Sequence, residues 1–88
     1  MKGIFVKNNN FIWRNIQGEA VLLNPADGKY YGLNAVGCSF WEKVDGERNE
    51  EDIINLLLEE FDVERGVLAQ DINELVNDME SKEILLFK

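Results

Sequence analysis

The segment that fixes the order of the first structural elements is Asn24-Pro25-Ala26-Asp27-Gly28-Lys29-Tyr30-Tyr31-Gly32-Leu33-Asn34. Its first five residues are strong turn formers, because proline pre-sets a type I turn and Gly28 can adopt a positive φ. The aromatic residues that follow favour a short strand, Lys29 to Leu33. Asn34 is a natural helix N-cap, so the stretch predicts a turn, a strand and a helix start in direct succession.

Two further strands precede this stretch. Phe11 to Ile16 and Glu19 to Leu23 are strongly apolar and are separated by Gln17-Gly18, which predicts a hairpin. Together with Lys29 to Leu33 they form a three-stranded antiparallel meander. The last strand of such a meander is an open edge unless another element covers it.

The N-terminal segment stands apart in the sequence. We expect residues 1–10 to form an N-terminal arm or a short strand over Ile4 to Val6, ahead of a domain that spans residues 11–88. The segment Met1 to Lys7 has no sustained apolar core and no small-residue cleavage site, so it does not resemble a signal peptide. A cytoplasmic location is the default expectation.

Three helices are predicted after the meander. The first covers Ala35 to Val44, and the second begins after Asn49, with three acidic residues at the positive end of its dipole, and runs to Phe61. Asp62 is predicted to cap the third helix, which carries one apolar stripe. The stripe consists of Leu68, Ile72, Leu75, Val76 and Met79. The apolar tail Ile84 to Phe87 is suited to a short final strand.

The order of elements predicts an α+β fold, similar to a winged helix-turn-helix, in which a three-stranded antiparallel sheet is followed by three helices. That outline raises DNA binding as a rival function. The chain has 17 acidic and 9 basic residues and a net charge of −8, which disfavours a phosphate-backbone partner. The outward positions of the third helix carry Glu64, Asp71, Glu74, Asp78 and Glu80 against only Arg65 and Lys82. Nucleic-acid binding is therefore the least favoured reading.

The composition also argues against catalysis. The chain has no histidine and one cysteine, Cys38, which we expect to be a small core residue. No nucleophile-base pair, metal cluster or phosphate-binding glycine pattern is present in the sequence. We therefore predict no enzyme activity, no cofactor and no metal. Its apolar runs are also far shorter than the roughly 20 residues that span a bilayer.

The sequence resembles the PqqD-like family in the order and spacing of several short motifs. The most specific is Tyr30-Tyr31-Gly32-Leu33-Asn34 entering a helix with Val36-Gly37 and Trp41. The remaining matches are Ile12-Trp13-Arg14, Gly18 to Leu23, Asp27-Gly28, Asp45 to Arg48, Ile53-Ile54, Leu57, Phe61 to Val63, Asp71 and Leu75. One departure is Lys82 to Leu85, where the family usually has a glycine before its final apolar pair.

The resemblance implies a recognition element for ribosomally synthesised and post-translationally modified peptides; the founding member acts in pyrroloquinoline quinone biosynthesis. In that family the leader segment of the precursor peptide lies as an added antiparallel strand beside the third strand, over a groove formed with the third helix. The implied partners are a precursor peptide and a modifying enzyme such as a radical-SAM enzyme, a cyclase or a leader peptidase. The peptide-binding residues implied here are Lys29, Tyr30, Tyr31, Gly32, Leu33, Arg65, Leu68, Ala69, Ile72 and Val76.

The residues themselves support strand addition, because an edge strand offers unpaired backbone groups to an extended peptide. Strand alternation predicts that Tyr31 and Leu33 point toward the helices, while Tyr30 and Gly32 face the other way. Core packing is the favoured role of Leu33 and Leu75, and it remains an equal alternative for Tyr31, Leu68 and Ile72. A general protein-protein adaptor, or a scaffold that forms homodimers through the same edge, is the second functional reading.

Overall fold

The computed structural model describes residues 3–88 of the chain. Met1 and Lys2, which belong to the predicted N-terminal arm, lie outside the described residues. The described part folds into the predicted α+β arrangement, in which a three-stranded antiparallel sheet is followed by three helices. The elements are β1 (Phe5–Lys7), β2 (Ile12–Ile16), β3 (Glu19–Asn24), β4 (Lys29–Leu33), α1 (Ala35–Lys43), α2 (Glu50–Glu60), α3 (Arg65–Ser81) and β5 (Leu85–Phe87).

The main sheet has the strand order β2-β3-β4, with both strand pairs antiparallel. Gln17 and Gly18 form the two-residue turn between β2 and β3, and both have positive φ (56° and 86°), as a type I′ turn requires. Gly28 has φ 72° in the turn before β4, where its N–H donates to the carbonyl of Asn24 at 2.8 Å. The meander predicted from these turn residues is confirmed.

The two faces of this sheet differ sharply in burial. On the inner face Ala20, Leu22 and Leu33 are buried against the helices. On the outer face Ile12 and Tyr30 remain more than half exposed. The predicted alternation on β4 is therefore confirmed, since Leu33 is buried while Tyr30 is 72% exposed.

A second, two-stranded sheet joins the two ends of the described chain. β1 and β5 pair antiparallel, with Phe5 opposite Phe87. The Phe5 ring is fully buried and makes edge contacts with Phe40 and Phe87, at centroid distances of 5.7 and 5.2 Å. The N-terminal segment thus contributes a strand to the core, and the apolar tail forms the expected final strand.

The first two helices begin at the predicted caps. The Asn34 side chain accepts a hydrogen bond from the Gly37 N–H at the start of α1. Asn49 and Asp52 form a reciprocal capping box at the start of α2. These local bonds satisfy N–H groups that have no partner within the helix.

The start of α3 differs from the prediction. Glu64 and not Asp62 is its N-cap, and it makes no side-chain capping bond. Arg65, the first helical residue, instead donates two hydrogen bonds of 2.8 Å to the Asn55 side chain of α2. α3 thus begins at a contact with α2, at a position where the local sequence carries no capping signal.

α3 packs one side into the core, against α1, α2 and β5. Four residues of its apolar stripe have at most 2% of their surface exposed, namely Leu68, Ile72, Val76 and Met79. The fifth, Leu75, is only partly buried and lies at the margin of the stripe. The helix is therefore held lengthwise against the domain while one margin stays open.

α3 ends in a Schellman motif built around a strained residue. The Ile84 N–H donates to the Met79 carbonyl, and the Glu83 N–H donates to the Glu80 carbonyl. Glu83 has φ 59°, a left-handed conformation that glycine adopts without a steric penalty. Glu83 therefore adopts this geometry at a conformational cost.

We predict that Glu83→Gly raises the free energy of unfolding by about 0.5–1 kcal/mol, because relief of the left-handed strain exceeds the greater flexibility of glycine in the unfolded chain. Glu83→Ala is the matched control, since it removes the same charge but keeps a Cβ. Chemical denaturation of both variants checks this. Equal stabilisation by alanine would assign the effect to charge and not to backbone conformation.

Candidate functional site

A groove of about 520 Å³ runs between β4 and α3. β4 is the last strand of its sheet, so one side of its backbone has no strand partner. The floor and walls come from three elements. The lining residues are Tyr31, Gly32 and Leu33 of β4, Asn34, Val36 and Gly37 at the start of α1, and Asp71, Ile72, Glu74, Leu75 and Asp78 of α3.

The sheet register determines which backbone groups of β4 face this groove. The two-residue turn closes on the pair Ile16–Glu19, and such a closing pair exchanges both ladder hydrogen bonds. Hydrogen-bonding alternates along β3, so its residues Ala20, Leu22 and Asn24 bond toward β4. The N–H and C=O groups of their partner residues on β4 therefore point toward β3. The N–H and C=O groups of Tyr30 and Gly32 therefore point toward the free edge.

One end of the groove is organised by a three-residue network. The Tyr31 hydroxyl donates to Asp78 at 2.6 Å, and the Lys82 ammonium donates to the other Asp78 oxygen at 2.7 Å. The Lys82 Nζ also lies 5.6 Å from the centre of the Tyr31 ring. These contacts fix the Tyr31 ring beside α3 as one wall of the groove.

The network changes the acidity of its members. Hydrogen bonds from Lys82 and then from Tyr31 lower the pKa of Asp78. Burial, followed by the hydrogen bond to Asp78, raises the pKa of the Tyr31 hydroxyl well above its usual range. Asp78 is thus a carboxylate and Tyr31 a neutral donor at neutral pH.

The middle of the groove combines an apolar surface with further carboxylates. Leu75 and Val36 are partly buried and pack against the core, so each still exposes apolar surface. Asp71 and Glu74 are exposed on the α3 side. An occupant therefore meets free backbone groups on one side and apolar surface flanked by negative charge on the other.

The structure brings together only part of the predicted peptide-binding set. Tyr31, Gly32, Leu33 and Ile72 line the groove. Lys29 and Tyr30 lie on the same strand but border a neighbouring depression of about 260 Å³. Leu33 and Ile72 lie at the floor of the groove, with 5% and 1% of their surface exposed.

The other members of the set lie elsewhere. Leu68 and Val76 are buried core residues with 2% and 0% exposure. Arg65 and Ala69 border a separate shallow depression together with Glu51 and Ile54. The first turn of α3 contacts α2 through the hydrogen bonds from Arg65 to Asn55, whereas residues 71–78 line the groove beside β4.

Sequence reasoning missed the groove residues at the margin of the α3 stripe. Leu75 was expected to be core. Glu74 and Asp78 were considered as a surface that repels DNA, and Asp71 was considered for that surface and as a family match. The available signal was their spacing, because Asp71, Leu75 and Asp78 recur every three or four residues and share one side of a helix. That side adjoins β4.

The described residues contain no cluster of three or more histidine, cysteine or acidic side chains able to hold a metal ion. Cys38 is a buried free thiol, as expected, and burial raises its pKa. In residues 3–88, no helix has the length and apolarity needed to cross a membrane.

Comparison with protein families gives a match over residues 19–85 to the family described as Coenzyme PQQ synthesis protein D (PqqD). The match covers more than half of the chain. The chain belongs to the PqqD family. This confirms the family prediction made from the sequence, and it places β3, β4 and the three helices of this PqqD-family chain within the matched region. No curated protein matched the sequence.

Two solved structures resemble this PqqD-family domain closely. The structure of TbiB1 in complex with the TbiA(beta) leader peptide has 28% identity and a TM-score of 0.79, and the match covers 90% of this chain and 92% of that chain. A lasso peptide synthetase B1 complexed with the leader peptide has 23% identity and the same TM-score of 0.79, over 93% and 96% of the two chains. At 23% identity, the second likeness is evidence for the fold alone.

We predict that Lys82→Met raises the pKa of Asp78 more than Tyr31→Phe does, because the ammonium contributes the larger stabilisation of the carboxylate. Tyr30→Phe is the control and should leave the Asp78 pKa unchanged, since Tyr30 is largely exposed on the outer face. NMR titration of the Asp78 carboxyl carbon checks the order. A larger effect of Tyr31→Phe would contradict it.

The sign of the coupled stability effect follows from the lowered pKa. The Asp78 interactions stabilise the fold above the unfolded-state pKa of aspartate, about 3.9, and are lost as pH falls through the lower folded-state pKa. The difference in unfolding free energy between the parent and Tyr31→Phe should therefore shrink on acidification.

Proposed function

We propose that this domain binds the leader segment of a ribosomally synthesised precursor peptide as an added strand on β4 and presents it to a modifying enzyme. The observation that carries the proposal is the free backbone edge of β4 beside the groove of α3. An extended peptide can satisfy the outward groups of Tyr30 and Gly32, while its alternate side chains enter the groove.

The likeness to TbiB1 supports this proposal. That protein is similar over nine-tenths of the present chain and its structure is a complex with a leader peptide. Membership of the PqqD family agrees with a role in the biosynthesis of a peptide-derived product. The fold and the open edge on β4 are what such a role requires of the present chain.

Within the proposal, backbone pairing supplies affinity and the groove supplies selectivity. Successive side chains of the added strand alternate, so every second one faces α3. Leu75 and Val36 offer that side chain partly buried apolar surface, and Tyr31 forms a rigid wall. Contacts of this kind, at a few partly buried positions, commonly dominate peptide affinity.

The proposed role is non-catalytic, and the chemistry belongs to a partner such as a radical-SAM enzyme, a cyclase or a leader peptidase. The domain would hold the leader while the remainder of the precursor extends to the active site of that partner. Because the precursor is made on ribosomes, the cytoplasm is the proposed place of action.

An adaptor or homodimerising scaffold is the second candidate. Two observations favour it: the same open edge can pair with a second copy, and Ile12, Ile16 and Tyr30 leave apolar surface on the outer sheet face. Sedimentation analysis of the free domain and of its mixture with a leader peptide separates the two functions. A stable dimer that persists when the leader peptide is added would favour the scaffold function.

Gly32→Pro should abolish binding of a synthetic leader peptide, taken from a precursor encoded beside the gene, while most of the fold is retained. Proline removes the outward N–H of Gly32 without breaking the ladder to β3. Gly32→Ala is the matched control, because a Cβ at this position meets no atom within 4 Å. Calorimetric titration measures binding, and thermal melting measures the fold.

Tyr31→Pro completes the set, since the Tyr31 N–H points toward β3 and its loss should destabilise the domain itself. Normal leader binding by a folded Gly32→Pro variant would exclude strand addition at this edge. Equal loss of binding in Gly32→Pro and Gly32→Ala would assign the defect to the side chain and not to the missing donor.

Leu75→Ala should weaken leader binding by about 1–3 kcal/mol if Leu75 anchors a peptide side chain. Leu58→Ala on α2 is the control, because Leu58 is also partly buried against the core but does not line the groove. Both variants lose packing, so denaturation measures that loss separately. Equal effects of the two variants on binding would contradict the groove assignment.

A further inference from the structure

The groove carries negative charge that the described chain leaves unneutralised. Asp78 is matched by Lys82, which donates to it at 2.7 Å. Asp71 and Glu74 also line the groove, and within residues 3–88 neither forms an ion pair with a basic side chain. Their carboxylates border the space beside the open backbone edge of β4, so they interact electrostatically with any peptide that pairs with that edge.

The spacing of this charge matches the repeat of an extended peptide. Asp71 and Leu75 are four residues apart on α3, which is about 6 Å along the helix axis. Side chains on one face of a strand repeat every second residue, about 6.6–7 Å apart. A peptide strand that runs along α3 and places an apolar side chain against Leu75 therefore places the side chain two positions away beside Asp71, with Glu74 between the two positions.

We propose that the groove selects leader segments with a lysine or arginine two positions from an apolar anchor residue. This inference rests on the proposed function and specifies the chemistry of the peptide. The long stem of lysine or arginine can lie along the partly buried apolar surface of Leu75 while its charge reaches the carboxylates. An acidic side chain at that position meets two like charges.

The net charge of the chain favours the same basic peptides as they approach the domain. Its net charge of −8 attracts a cationic segment and repels an anionic one at low ionic strength. Asp71 and Glu74 are exposed, so each pairing contributes modestly. Exposed ion pairs contribute up to about fivefold each in affinity, and we expect about three- to tenfold for the basic residue as a whole.

A displayed library of random peptides tests the inference even when the cognate leader is not identified. Peptides of about 12 residues, long enough for one strand and its flanks, are selected on the immobilised domain. Selection on the Gly32→Pro variant removes sequences that bind without the β4 edge. We expect the remaining sequences to be enriched in lysine or arginine two positions from an apolar residue, relative to the unselected library.

Selected peptides are then measured singly, with lysine or glutamine at the enriched position. Asp71→Asn/Glu74→Gln should remove the lysine preference, and raising NaCl from ~50 to ~500 mM should reduce it. Asp62→Asn/Glu59→Gln is the matched control, because it removes the same charge from exposed positions outside the groove. The control should keep the preference.

The outcomes separate this inference from the function on which it rests. The inference is overturned if the peptides that depend on the β4 edge show no enrichment of lysine or arginine. It is also overturned if both double variants lose the lysine preference equally. Either result leaves strand addition at β4 intact. A selection that yields no peptide dependent on the Gly32 N–H would overturn both.

Discussion

Burial of one side of α3 sets the position of the groove and of the elements around it. Leu68, Ile72, Val76 and Met79 fix the rotation of the helix about its axis, since each is almost completely removed from water. That rotation directs Leu75 and its acidic neighbours toward β4. The groove therefore exists because the core stripe is narrower than the full apolar pattern of the helix, and the unburied margin of that pattern lines the groove.

Local sequence signals predicted the elements well because each has a local physical cause. Gly28 and the type I′ pair at Gln17-Gly18 set the turns, and Asn34 and Asn49 set two helix starts. Contacts between distant residues were not predictable in this way. The start of α3 coincides with a contact from Arg65 to Asn55, and β1 pairs with a strand about eighty residues later in the chain.

The candidate site was predicted in outline and not in detail. The open edge of β4 follows from the strand order, so Tyr31 and Gly32 could be named from sequence. The division of the α3 stripe into core and groove depends on a few tens of degrees of helix rotation, which periodicity does not resolve. Leu68 and Val76, which were predicted to contact a peptide, are buried in the core, whereas Leu75, which was expected in the core, lines the groove.

The pairing of β1 with β5 makes the described chain nearly a closed ring. Ile4 and Lys88 exchange backbone hydrogen bonds of 3.1 and 2.9 Å, so a short linker can join these ends without moving the core. New termini could then be opened at Gln17-Gly18, an exposed turn that does not line the groove. A circular permutant of this kind keeps β3, β4 and α3 continuous. The same closure lets the domain be inserted into a loop of a larger host protein with the open edge of β4 still accessible.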